Sequence, residues 1–464
     1  MPRRSRNFLA FSVASLLLAG LFLFQTDLLP ERYSVSFPED QRNLNFTRES
    51  TLSSAHLSTQ LNGSLPGKNN QISTDFVVPT QVAIVEALPC HGEVVAALVH
   101  SFASNPSVNL SLYQNYRLYG IEDVMRKFEL PRPLPTIETT EKFEDVNKGH
   151  GHDFVILITC ELYFASRSPY LNHLLRETNS RLFCVVHHAD YWDMDGEKER
   201  EVRHWVMAER IDFVTLSSHT AKFLMRQRMN GWTHNLTTTP WIREYTPVFP
   251  VEHSNPPYSN TPPGVPQDLA FTIQGLYEDL RRDYSTIFTQ LQKFVDTHHS
   301  KDANVTLHLL GSGTTRPPVP TSLVSHVIFD SDLKYTDYYA ILSRSFAVLP
   351  AFASADYLDR KASSSVPASL IGGAPLVATR EIWNSYSYLS PEAVYFQERN
   401  ETELDVVERV LQMTEEQRLH MMLMARESCA RLIESNKAEV SQWIDMAERR
   451  MGRPPRYGYV PDNH

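Results

Sequence analysis

Cysteine is scarce. Four residues, Cys90, Cys160, Cys184 and Cys429, are spread over 464 positions with no C-x-x-C pair, which excludes a zinc-ribbon site and a disulfide-built scaffold. Cys160 and Cys184 each fall at or near the end of a predicted strand, so one disulfide or two buried thiols would fit there. The free thiols are the expectation. Basic charge is also short: 44 Lys and Arg stand against 54 Asp and Glu, giving a net charge of −10 and an isoelectric point near 6.0. No basic stripe with interleaved aromatics occurs, so no nucleic-acid partner is expected. Short-period repeats are absent too. What is present is 42% hydrophobic residues in a chain long enough for two ordinary domains with real cores.

Arg3, Arg4 and Arg6 precede an uncharged run over residues 7–24. This run is close to the minimum for a membrane span, and the arginines would hold the N-terminus in the cytoplasm. A cleavable signal peptide competes with this reading, but Gln25-Thr26-Asp27-Leu28 offers no small-x-small site. A single-pass type II signal anchor is therefore expected, short enough for the thinner membranes of the endoplasmic reticulum or Golgi. Six N-x-S/T sequons, at Asn45, Asn62, Asn109, Asn235, Asn304 and Asn400, agree with a lumenal catalytic portion.

The expected organisation is a cytoplasmic tail (1–6), the anchor (7–24), a Ser/Asn/Thr/Gln-rich stem (25–77), and two domains joined by a Pro-rich linker (252–267). The domains span 78–251 and 268–445, and a tail (446–464) follows. In both, continuous apolar strands alternate with helical segments, the pattern of a parallel sheet covered on both faces. Residues 131–151, Pro-rich and then charged, are expected to form a surface excursion.

The densest signal lies at 361–379, K-A-S-S-S-V-P-A-S-L-I-G-G-A-P-L-V-A-T. It reads as a small polar loop, a helix at 366–371, a Gly-Gly stop and a buried strand at 375–379. Unpaired amides at a helix start, flanked by small residues, suit a diphosphate. An ordinary strand–helix unit is the plainer alternative for the segment alone.

This order of elements resembles the donor-binding half of group 1 glycosyltransferases of the GT-B fold, and of fungal type II membrane members among them. The resemblance covers residues 78–445. It implies two Rossmann-like domains, the first facing a glycan or glycoconjugate acceptor and the second a nucleotide sugar, with no metal or other cofactor. On that resemblance, His91 and His188 are candidate catalytic groups, and His187 a donor-sugar contact. A neutral imidazole at His91 would take a proton from the attacking hydroxyl near pH 7. The diphosphate falls to Arg281, Arg282, Lys361, Ser363, Ser364 and Ser365, with Gly275 and Gly311 at the strand ends beside them. Ser217 and Lys222 resemble a helix start on the acceptor side, or form a simple cap. The glutamate pair of many retaining members is missing, its positions filled by Ser, Val, Ala and Gly, which leaves a non-catalytic partner or glycan-binding role as the competing reading. Asp193-Met194-Asp195 and Asp330-Ser331-Asp332 are not expected to bind metal.

Overall fold

The computed structural model describes residues 79–147, 151–166, 168–192, 197–229, 238–253, 269–298 and 305–452. The expected anchor and stem, Asn45, Asn62, Asn235, Asn304, the 193–195 motif and most of the linker lie outside these residues. Among the described residues no helix is long and apolar enough to cross a membrane.

The first apolar series forms a seven-stranded, all-parallel sheet. Its strands are β1 (Thr80–Glu86), β2 (Val108–Gln114), β3 (Ile137–Glu138), β4 (Phe154–Leu157), β5 (Arg181–Val186), β6 (Ile211–Thr215) and β7 (Trp241–Glu244), in the order β3-β2-β1-β4-β5-β6-β7. The second series forms a six-stranded parallel sheet of order β10-β9-β8-β11-β12-β13. Its strands are β8 (Leu269–Leu276), β9 (Val305–Ser312), β10 (Val327–Ser331), β11 (Ala347–Leu349), β12 (Leu376–Ala378) and β13 (Val394–Phe396). In both parallel sheets the strand order reverses beside the first strand, between β1 and β4 and between β8 and β11. At such switch points a crevice opens past the carboxyl ends of the strands.

Two departures from expectation have simple causes. Cys160 and Cys184 form a disulfide, with Cα atoms 5.2 Å apart, and are not free thiols. Cys160 opens the segment after β4, Cys184 lies in the adjacent β5, and register brings Leu157 opposite Cys184. The excursion at 131–151 contains β3 and a helix, Thr140–Asn147, anchored by the buried Ile137 and Phe143 and by hydrogen bonds between Thr140 and Asn115.

Four helices position the site: α1 (Gly92–Ala103) after β1, α2 (Tyr335–Leu342) after β10, α3 (Ser365–Gly372) before β12, and α4 (Glu415–Arg450) at the end of the described chain. The expected Gly-Gly stop closes α3: Gly373 is left-handed at φ 71°, and a Cβ there would lie 2.5 Å from Arg426 Cγ. Thr414 and Gln417 cap α4 reciprocally. The helix begins against the second domain, where Leu419 and Met421 pack, and ends on the first. There Trp443 stacks 5.9 Å from Phe183, Asn436 donates to the Thr246 carbonyl, and Thr80 Oγ1 donates to Glu448. One hydrophobic cluster runs from α1 through α3 to α4, so the two domains share a core.

Candidate active site

β1 carries an apolar run, residues 82–85, and ends on Glu86, which is fully buried. A buried carboxylate needs partners. Glu86 accepts from the Leu88 amide at 2.7 Å and from Thr159 Oγ1 at 3.0 and 3.2 Å. His91 then opens α1 in a left-handed conformation, φ 66°. Its Nδ1 lies 3.5 Å from Thr159 Oγ1, 3.4 Å from Cys90 Sγ and 3.8 Å from Glu86 Oε2. Thr159 spends its one proton on Glu86, so toward His91 it can only accept. Nδ1 therefore carries a hydrogen, and Nε2 is the nitrogen available to a ligand. Burial opposes charge on His91, but the Cys90 sulfur and the Glu86 carboxylate outweigh it and hold the pKa well above the ordinary imidazole value. The surroundings of His91 thus favour the imidazolium, through the Cys90 sulfur first and the Glu86 carboxylate after it.

The His187 ring stacks on His91, centroids 3.6 Å apart and planes 22° apart. Burial, then the His91 and His188 charges, push its pKa well down, and its buried Nε2 has no partner within the protein. Burial and nearby Lys361 push His188 down to about 3, and its ring lies flat on Tyr191 at 4.4 Å. Both backbone amides, of His187 and His188, donate to Glu161 Oε1 at 3.1 and 3.0 Å. Glu161 is fully buried, and burial raises its pKa to about 7.

The second domain closes on this cluster directly. His188 pairs with Lys361 as an antiparallel bridge. His219, in the Ser217-to-Lys222 segment, places its ring nitrogens 3.0 Å from the Lys361 carbonyl and 2.9 Å from that of Ser385. Lys361 Nζ is 3.3 Å from Asp356, and Ser364 is exposed at the start of α3. Ser363 is buried, its amide donating to Tyr386.

The structure separates the two arginines. Arg281 is partly exposed and paired with Glu278 at 2.6 Å. Arg282 is buried beneath the serine loop, donating to the Gln274 and Arg281 carbonyls at 3.0 Å each and to Ser365 Oγ at 2.7 Å, over Phe352 and Tyr357. It carries its charge under α3 and positions Ser365. Gly275 (φ 138°) makes room for the Arg282 guanidinium, and a Cβ on Gly311 would lie 1.8 Å from the Gly275 carbonyl. Both glycines hold β8 against β9 and its neighbours. Asp330 bonds His308 at 2.6 Å and Asp332 bonds Tyr119 at 3.3 Å, so each carboxylate is engaged.

Sequence reasoning missed Glu86, Thr159, Glu161 and Gln274. Glu86 had a signal, an acid terminating an apolar strand; Thr159, Glu161 and Gln274 depend on long-range pairing.

With this geometry in place, comparison with solved structures is informative. A glycosyltransferase from Rickettsia africae matches with a TM-score of 0.51 at 10% identity, over 81% of this chain and 100% of its own. Sucrose-phosphate synthase from Thermosynechococcus elongatus matches with a TM-score of 0.50 at 11% identity, over 80% and 99%. The fold is GT-B. At these identities the likeness is one of fold alone. No protein-family model and no curated protein matches the sequence. The GT-B cleft is where His91, His187 and His188 from one domain meet Lys361 and Ser364 from the other.

Proposed function

We propose that the protein is a glycosyltransferase moving a sugar from a nucleoside-diphosphate sugar to a hydroxyl of a glycan or glycoconjugate. The observation that carries this reading is the His188–Lys361 bridge, which sets the three imidazoles against the polar start of α3. The diphosphate would lie at the exposed Ser364, at the N-terminal end of α3, where the helix dipole favours an anion. Lys361 and Arg281 would supply charge from the rim, and Arg282 from below. Charge develops on the departing diphosphate in the transition state, so cations fixed beforehand lower the barrier without reorganisation. The unpartnered His187 Nε2 would contact the donor sugar. His91, with Nε2 free, would orient the acceptor hydroxyl and take its proton once its own is lost. Side-chain and helix charge serve the diphosphate in this scheme, and no metal is invoked.

A secretory-pathway setting belongs to the same reading, with residues 7–24 as a type II anchor like that of fungal members. The Cys160–Cys184 disulfide supports it, since such bonds persist in oxidising compartments. Asn400, in an exposed turn, is an accessible sequon; Asn109 is exposed, with its Nδ2 donating to Gln81 at 2.7 Å. A binding role without turnover is the second reading, favoured by the absence of the glutamate pair that many retaining members carry. Incubation with a panel of nucleotide sugars, with and without oligosaccharides, separates the two. Release of nucleoside diphosphate from one donor supports the transferase; binding of that donor without release supports the other.

A further inference from the structure

Past β2 the chain makes a short turn, Leu118–Gly120, in which Tyr119 is left-handed at φ 54°. A tyrosine held so costs on the order of 1–2 kcal/mol. Its hydroxyl reaches Asp332 Oδ1, 3.3 Å away in the second domain, and Asp332 is itself left-handed at φ 56°. The Tyr119 ring meets Tyr335, at the start of α2, edge to face, with centroids 6.4 Å apart and planes at 83°. Tyr335 in turn interacts with the Glu93 carboxylate, and its hydroxyl lies 3.6 Å from where a Cβ would stand on Gly92. Gly92 follows His91, so this aromatic corner adjoins the candidate catalytic group. Although fixed from two sides, Tyr119 remains 38% exposed, and its neighbours Leu118 and Tyr116 are 39% and 40% exposed.

We propose that the Tyr119–Tyr335 corner is the acceptor subsite and takes a neutral saccharide ring, stacked on Tyr119 with its hydroxyls directed to Glu93 and Asp332. The proposal rests on the transferase reading and names the acceptor class for it. A pyranose presents a face of C–H groups that suits the negative face of an aromatic ring. Its edge is a belt of hydroxyl donors, which carboxylates accept strongly. The same two carboxylates repel a phosphate or a uronate. Three cations stand nearby: Arg117 pairs with Glu122 at 3.7 Å, Arg316 donates to Ser331 Oγ at 3.3 Å, and Lys334 Cδ lies 3.9 Å from where a Cβ would stand on Gly120.

The test is saturation-transfer NMR on the full chain, with neutral disaccharides and methyl glycosides set against matching uronates. Neutral rings should receive saturation at their C–H protons and uronates should not. Tyr119→Ala should weaken the neutral ligands by about tenfold, and Tyr119→Phe should retain them. Asp332→Lys should admit the uronates, a gain that a misfolded protein would not show. No signal from neutral saccharides, an unchanged signal in Tyr119→Ala, or a Tyr119-dependent signal from nucleoside alone would overturn the proposal. Nucleoside diphosphate binding, read in separate samples, reports on the donor site. Saccharide binding lost in Tyr119→Ala, without nucleotide binding, would uphold the subsite and reject the donor reading.

Discussion

His188 and Lys361, from different domains, pair through their backbones as an antiparallel bridge. That pairing places the lysine charge beside a histidine held neutral, at the mouth of the serine loop. A charge-assisted contact contributes about 1.5–3 kcal/mol, so Lys361→Ala should weaken nucleoside diphosphate binding by roughly 10- to 100-fold. Calorimetric titration measures this directly; an unchanged affinity would remove Lys361 from the site.

The Glu86 carboxylate helps to keep His91 charged. If His91 is the base, kcat/KM should rise with pH through a value above that of an ordinary imidazole. In Glu86→Gln the rise should move to lower pH, because the carboxylate that favours the imidazolium is gone. A pH profile indifferent to Glu86→Gln would place the base elsewhere.

Glu161 has a folded pKa of about 7 against an ordinary value of 4.5. The folded state therefore holds the proton more tightly. This contribution to stability is full below about 4.5 and is lost as pH rises through about 7. Glu161→Gln, which keeps an oxygen for the His187 and His188 amides, should lose less thermal stability over that interval. Thermal unfolding between pH 4.5 and 8 compares the two proteins.

Reduction of the Cys160–Cys184 bond, or Cys160→Ala with Cys184→Ala, should cost about 3 kcal/mol for a loop of this length. Urea unfolding of both forms gives the difference. Equal midpoints would show that the bond does not form in solution.

Gly311→Ala should be among the most damaging substitutions in the second domain, since its methyl would fall 1.8 Å from the Gly275 carbonyl and the two backbones cannot part without breaking the β8–β9 ladder. A loss of about 4 kcal/mol or failure to express folded is expected. Near-normal thermal stability would contradict this packing.

Much of the architecture was written in local pattern. Fully apolar strands such as 154–157 and 182–186 announced a parallel sheet, and Gly373 marked the end of α3 because only glycine is comfortable there. Of the residues singled out from the sequence, His91, His187 and His188 lie past the ends of β1 and β5 and come together with Lys361. What escaped depends on pairing across long separations. The Glu86 and Thr159 contacts to His91 depend on the pairing of β1 with β4, and the disulfide on register between β4 and β5. Arg282 is expected from the sequence to face the diphosphate beside Arg281. Only the packing of Phe352, Tyr357 and Ser365 shows it to be buried. Likewise the return of α4 to the first domain has no local signature, since its amphipathic pattern does not say which domain it covers.

The central claim is a metal-independent site for a nucleoside diphosphate in the cleft between the two domains. Calorimetric titration of the wild-type protein with UDP and with GDP, each with and without manganese, tests it most directly. The account predicts saturable binding of one of the two, unchanged by manganese. Binding of neither, or binding that requires the metal, would contradict it.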